Sequence, residues 1–132
     1  MFKLSRRSLG QLEGVHPDLV RVVVRAIELT DIDFGVSEGV RIEYRQKQLK
    51  AQGKSTTLKS KHLVQHDGFG HAVDLYCLVG GKASWEHKDF RKVIQAMFTA
   101  AIELDVQIQA GGLWRSFIDS PHFQLNQNFY GV

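Results

Sequence analysis

Two short stretches hold the residue types able to do chemistry. Asp119-Ser120-Pro121-His122 places a carboxylate and an imidazole on either side of a Ser-Pro turn. Upstream, Ser60-Lys61-His62…Gly70-His71-Ala72-Val73-Asp74 supplies further histidines and a second carboxylate. Three such nitrogen and oxygen ligands with a fourth position left open, plus one spare carboxylate to move protons, form the donor set of a catalytic zinc. Side chains alternate across a strand, so a strand through residues 71–79 puts Ala72 and Asp74 on one face and His71 on the other. His71 and Asp74 therefore do not share one ion. The loop histidines His62 and His66 are not so constrained, and the turn at Pro121 can aim both Asp119 and His122 into one cleft.

These residues need a scaffold. Lys54–Gly70 is a polar stretch of about 17 residues without periodicity, and loops this long in compact domains are usually functional. His71–Val79 reads as the firmest strand, ended by Gly80-Gly81. Pro17, suited to a first helical position, and Asp18 open a helix over 17–29 whose core residues are Leu19, Val23, Ala26 and Ile27, with Val20 and Val24 beside them. The strongest helical periodicity runs over 87–104, through Phe90, Val93, Ile94, Met97, Phe98, Ala101 and Ile102. Ser84-Trp85-Glu86-His87 resembles a capping box with Ser84 as the cap and His87 in place of the usual Glu.

Residues 34–41 alternate as a strand, with Phe34, Val36 and Val40 on the buried face and Arg41 as the closing residue. Glu38 breaks the parity and Gly39 suggests a bend. A polar helix follows over 43–52, with Tyr44, Leu49 and Ala51 as its candidates for burial and Gln46 able to face Arg41; Gly53 stops it. Short strands are expected at 106–110 and 122–125, joined by an aromatic loop in which Trp114 and Phe117 either wall the cleft or pack. The N-terminal segment 3–14 holds a brief helix around Leu9–Leu12, capped by Ser5 or Ser8. The expected architecture is α+β.

A chain of 132 residues makes one domain, 1–132, large enough to need no disulfide. Its one cysteine, Cys77, lies in an apolar run and reads as a core thiol. The net charge of +3 suits anionic polymers, but Lys and Arg are dispersed and no nucleic-acid motif is present, so nucleic acid is not an expected partner. No apolar run reaches the ~18 residues of a membrane span. The charged N-terminus has no apolar segment behind it, so no signal peptide is expected.

In combination, Ser60-Lys61-His62, Gly70-His71-Ala72-Val73-Asp74 and Asp119-Ser120-Pro121-His122 resemble the Ser-x-His, Gly-x-Ala-x-Asp and Glu/Asp-x-x-His segments of the M15 family of zinc peptidases, the VanY/VanX-like or LAS group. Gly39-Val40-Arg41 followed by Gln46 resembles that family's Gly-x-Arg segment and its Gln. The small size and the Leu12…Val15-His16-Pro17-Asp18-Leu19 stretch are most similar to phage L-alanyl-D-glutamate endopeptidases, the endolysins. The resemblance covers nearly the whole chain.

It implies a LAS-type fold, a small mostly antiparallel sheet with helices packed on it. It also implies a zinc ion held by His62, Asp74 and His122, with Asp119 as the catalytic acid/base and Arg41 holding the polarised carbonyl oxygen or nearby substrate. The implied reaction is hydrolysis of peptidoglycan stem peptides at the L-alanyl-D-glutamate bond, for wall lysis or lysis-type protein release. The alternatives are a D-alanyl-D-alanine carboxypeptidase or dipeptidase of the same family, and a non-catalytic peptidoglycan-binding module. Peptidoglycan is then the partner and a holin-type pore the export route. The protein is expected to be a monomer made in the cytoplasm that acts on the wall in the periplasm. The family keeps its first His and its Asp in one compact His-x-x-Gly-x-Ala-x-Asp stretch. Here Leu63–Phe69 intervene, an apparent five-residue insertion, which leaves His66 as the alternative to His62.

Overall fold

The computed structural model describes residues 1–54 and 59–131; part of the long Lys54–Gly70 loop, residues 55–58, lies outside that range. Its five strands, β1 (Asp33–Glu38), β2 (Ala72–Val79), β3 (Lys82–Ser84), β4 (Ile108–Ala110) and β5 (His122–Leu125), form one sheet with every pairing antiparallel. β2 is its spine. β1 lies along one edge of β2, while β5 and β3 share the other edge at opposite ends. β4 pairs with the far side of β5, so the strand latest in sequence lies inside the sheet.

The helices are α1 (Arg6–Gln11), α2 (Pro17–Leu29), α3 (Glu43–Ala51), α4 (His87–Leu104) and α5 (Gln127–Tyr130). The expected α+β class holds. α2 and α4 pack on each other and against one sheet face, where Phe34, Val36, Val73, Leu75, Cys77, Phe123 and Leu125 join their apolar stripes in one core. Strand alternation then turns Asp74, His122 and Gln124 to the opposite face. Cys77 is buried in the core, and burial pushes its thiol up to about 12, as befits an inert packing residue.

Several boundaries differ from expectation. The first strand ends at Glu38 rather than Arg41, because the register slips between Val36 and Glu38 and this irregularity takes the chain out of the ladder. Phe34 and Val36 are buried as read, while Val40 is only partly so. α1 starts earlier than the expected 9–12, at Arg6, with the Ser5 hydroxyl accepting from the Ser8 N–H. β4 begins at Ile108 rather than 106. Gly80-Gly81, both at positive φ, end β2 by turning it back into β3, a hairpin strand not anticipated.

Ser84 belongs to that strand and does not cap α4. Glu86 is the cap residue and gives no side-chain hydrogen bond, while the Ser84 hydroxyl donates to Asp89 at 2.6 Å. On α4, Ile102 points to solvent and Ala96 and Ala100 are buried instead. On α3, Gln46 faces inward beside Leu49, whereas Tyr44 and Ala51 face solvent. α5 was also unanticipated. It is capped by the Asn126 side chain, which accepts from the Asn128 N–H.

α5 docks through Tyr130, whose hydroxyl donates to Asp18 at 2.8 Å and whose ring lies edge-on to those of His16 and His71. His71 is fully buried and bonds Asp67 at 2.7 Å. His16 caps α2 by accepting the Asp18 N–H and packs on Phe69. His71 is therefore a structural residue of this second cluster, as strand parity implied.

Gly39 shows how tightly the segment after β1 is threaded. A Cβ there would collide with the Gln11 backbone carbonyl, and backbone cannot move aside as a flexible side chain can. Gly39→Ala is expected to cost about 1–3 kcal/mol, the range of overpacked core substitutions, read as a lower midpoint in urea unfolding.

Candidate metal centre

Asp74 of β2 and His122 of β5 are direct cross-strand partners, and their side chains leave the sheet on the same face. The Asp74 Oδ1 atom lies 3.3 Å from His122 Nδ1 and 3.1 Å from His62 Nε2. One ligand atom from each of the three residues falls within 4.8 Å of the other two. His62 reaches this point from the loop. Although residues 63–69 intervene, they form an excursion closed at its base by a bridge between Val64 and Gly70 and by the Gln65 N–H bonding the Phe69 carbonyl. The Lys61 carbonyl accepts the His71 N–H, which sets His62 beside the start of β2 as though the insertion were absent. His66 is carried away on the excursion. Its ring stands 6.0 Å from that of His71 and against Gly131.

Each imidazole is oriented from behind. His62 Nδ1 is 2.8 Å from the Gly39 carbonyl oxygen, which can only accept, so the ring donates there and turns its Nε2 to the site. His122 Nε2 is 2.8 Å from Gln124 Oε1, whose amide nitrogen donates in turn to Gln109 Oε1 at 3.0 Å. This turns His122 Nδ1 to the site. Both rings thus aim one nitrogen at the same point, and outer hydrogen bonds of this kind orient ligand rings in metal sites. Gln124→Leu is expected to lower metal affinity about 10–100-fold, measured by competition with a chromogenic chelator, with the fold unchanged by circular dichroism.

The electrostatics agree with a cation site. Burial alone would raise the Asp74 pKa, but hydrogen bonds and charge from His122 and His62 outweigh it and hold the carboxylate far below its usual range. Burial opposes charge on His122 as well, yet the bond to Asp74 raises its pKa. In this arrangement the imidazoles stand where a cation's charge would serve Asp74. Two imidazole nitrogens and a carboxylate oxygen, converging and with the outer nitrogen of each ring hydrogen-bonded, fit a zinc-type ion.

Arg41 lies beyond the end of β1, next to this centre. Its Nε and Nη2 donate to the two Glu38 carboxylate oxygens at 2.8 and 2.7 Å, and its Nη1 donates to Gln46 Oε1 at 2.7 Å. These three bonds fix the plane of the guanidinium, and Nη2 stands 3.7 Å from Asp74 Oδ2. Asp119 sits in the turn before β5. Its N–H donates to the Gly111 carbonyl and its own carbonyl accepts the His122 N–H. A Cβ on Gly111 would strike the Asp119 carbonyl, so glycine is what lets the turn lie this close to the 3-10 turn at Gly111–Leu113. Burial, and then the neighbouring Asp74 charge, raise the Asp119 pKa above the ordinary value. His87 at the start of α4 bonds the Ser120 hydroxyl at 2.8 Å, tying the turn to the main helix.

Glu38, Arg41, His62, Asp74, Asp119, His122 and Gln124 border one cleft of about 430 Å³, which Trp114 and Phe117 also line. The Trp114 ring centroid is 5.3 Å from that of His122. The arrangement joins a metal donor set, a carboxylate biased toward holding a proton and a fixed guanidinium, which together are the parts of a metal-assisted hydrolase.

The chain's first 130 residues match the family model described as phage L-alanyl-D-glutamate peptidase. The chain belongs to this family. Among phage L-alanyl-D-glutamate peptidases it is similar to that of Escherichia phage T5, with 32% identity over 98% of this chain and 93% of the relative. It is also similar to that of Listeria phage A118, with 30% identity over 80% of this chain, which corresponds to 34% of that longer protein. The crystal structure of the Serratia marcescens L-Ala D-Glu endopeptidase ChiX shares the fold, with a TM-score of 0.90 and 39% identity over 99% of this chain and 95% of that one.

Of the sequence-assigned site residues, His62, Asp74 and His122 come together, Asp119 and Arg41 border the same cleft, and His66 stands apart. Glu38, Gln124, Gln109 and His87 were given no part in the site. Two of them left a signal. Gln124 follows His122 by two on a strand, hence on the same face, and Glu38 is the residue that broke the strand parity.

Proposed function

We propose that the protein is a zinc-dependent endopeptidase that hydrolyses peptidoglycan stem peptides at the L-alanyl-D-glutamate bond. The observation that carries this reading is the convergence of His62 Nε2 and His122 Nδ1 on Asp74 Oδ1, beside Asp119, in a chain whose family relatives are named L-alanyl-D-glutamate peptidases. When bound, zinc supplies the Lewis acidity that polarises the scissile carbonyl and activates a water.

The chain's own residues do the rest. His62, Asp74 and His122 hold the ion. Asp119, whose pKa is raised by burial, is suited to take the proton of the attacking water and pass it to the leaving amine. Arg41, held in plane by Glu38 and Gln46, directs positive charge at the carbonyl oxygen as it becomes anionic. Trp114 and Phe117 bound the cleft on the side of the Asp119 turn. Peptidoglycan is the partner in this reading, a holin-type pore the route to it, the periplasm the place of action and the monomer the working unit. Among the described residues no helix is long and apolar enough to cross a membrane.

Mass spectrometry of purified sacculi after digestion tests the reaction. The expected products are peptides with a new N-terminal D-glutamyl residue, lost on chelation and restored by added zinc. Release of free D-alanine instead would identify a carboxypeptidase, and no new fragments at all would identify a wall-binding module.

A further inference from the structure

The cleft is chemically lopsided. Its lining includes two aromatic residues, Trp114 and Phe117, and three lysines, Lys54, Lys59 and Lys61. These lysines belong to a markedly basic stretch. Between residues 43 and 61 the chain places Arg45, Lys47, Lys50, Lys54, Lys59 and Lys61 against a single acidic residue, Glu43. The carboxylates that border the cleft are otherwise engaged. Glu38 is bound by Arg41, and Asp74 lies between His62 and His122. Asp119 lies within the field of the site histidines and Arg41. Among the described residues Lys54 and Lys61 take part in no ion pair. Lys54 and Lys61 therefore bring to the cleft positive charge that no ion pair among the described residues ties up, and such charge concentrates and orients anionic ligands.

The substrate class supplies that anion. A glutamyl residue acylated on nitrogen by alanine has two carboxyl groups. A peptide that continues beyond it consumes one, and the other stays free, a few bonds from the scissile amide on the leaving-amine side. Arg41 is poorly placed to take it, because three of its five N–H groups are committed to Glu38 and Gln46. The small, uncharged alanyl side has no use for a cation and suits the aromatic residues.

We propose that Lys54 and Lys61 recognise the free carboxylate of the glutamyl residue, and so set both the selectivity for a glutamyl leaving group and the direction in which the peptide lies in the cleft. The proposal rests on the L-alanyl-D-glutamate reading and adds to it the residues that choose the substrate.

The test uses two synthetic stem peptides identical except that the free glutamyl carboxylate is converted in one to its primary carboxamide. The readout is the ratio of their kcat/KM values for the zinc-loaded full chain. A charge-assisted hydrogen bond predicts that the wild type prefers the carboxylate peptide about tenfold or more. In the Lys54→Met, Lys61→Met double variant that ratio should fall to within about twofold of one, carried mainly by KM, and Lys61→Arg should keep it. The amide comparison on unaltered protein needs no variant to fold.

No preference in the wild type overturns the proposal, as does a preference that survives in the double variant because both peptides are slowed alike. If the wild type cuts neither peptide, the reading of the scissile bond falls and the proposal falls with it. Equal cutting of both leaves that reading standing and removes only the lysine assignment.

Discussion

Asp119→Asn is expected to lower kcat for wall hydrolysis by about 10²–10⁴-fold, the span over which a positioned general base acts, while metal content measured by atomic emission stays at the wild-type level. Asparagine keeps the shape of the turn and its backbone bonds to Gly111 and His122 but cannot carry a proton. The same substitution should make the metal-free protein more stable at neutral pH. A carboxyl whose folded pKa is raised holds its proton more tightly when folded than when unfolded. Stability is then lost as pH climbs from the unfolded value, ~3.9, through the raised folded one. Above that range the wild type carries the loss and the variant does not. The midpoint of urea unfolding of chelated protein should therefore rise for the variant at pH 7, and the two proteins should converge near pH 3. A variant that loses metal together with activity would instead place Asp119 among the ligands.

Asp74→Ala is expected to give the larger loss. It removes the oxygen on which both imidazoles converge and leaves His62 and His122 facing each other with ring centroids 5.1 Å apart. Metal affinity should drop well beyond the 10–100-fold typical of an outer-shell change, and hydrolysis should vanish from the assay. Asp74→Asn is the sharper version, since it keeps the volume and one oxygen but not the charge. In wild-type protein without metal, the depressed pKa of Asp74 is a stabilising contribution present above ~3.9 and lost as pH falls through the folded value. The acid limb of the unfolding curve should thus be steeper for wild type than for Asp74→Asn. Equal zinc binding by the wild type and Asp74→Ala would remove this residue from the centre.

The sequence carried most of the framework because the framework follows from periodicity. The helices at 17–29 and 87–104 stand where their apolar repeats put them, and the strand from Ala72 follows from alternation. What escaped was set by tertiary context. Gly80-Gly81 reads equally well as an end or as a hairpin, and only pairing with β2 distinguishes them. Tyr44 faces solvent while Gln46 turns in toward Arg41 as its position allowed, because Arg41 needs an oxygen acceptor inside the fold more than the core needs another ring.

The site residues were legible as types at spacings, but not as a geometry. The excursion after His62 looked like an insertion that displaces a ligand. In the folded chain its two ends meet, and the distance along the chain ceases to matter. The outer partners of the ligands, Gly39, Gln124 and Gln109, are ordinary residues whose importance comes only from where the sheet puts them.

The position of β5 inside the sheet has a consequence for biosynthesis. Asp74 and His122 are about 48 positions apart in sequence but directly opposed in space. Until the ribosome has made and released the segment around residue 122, β4 has no neighbour in the sheet and the site lacks both His122 and Asp119 just ahead of it. A nascent or prematurely ended chain that stops before this point can be long, largely helical and well supplied with histidines, yet it holds only part of the constellation. Competence for hydrolysis thus waits for β5, a single short strand threaded between two others.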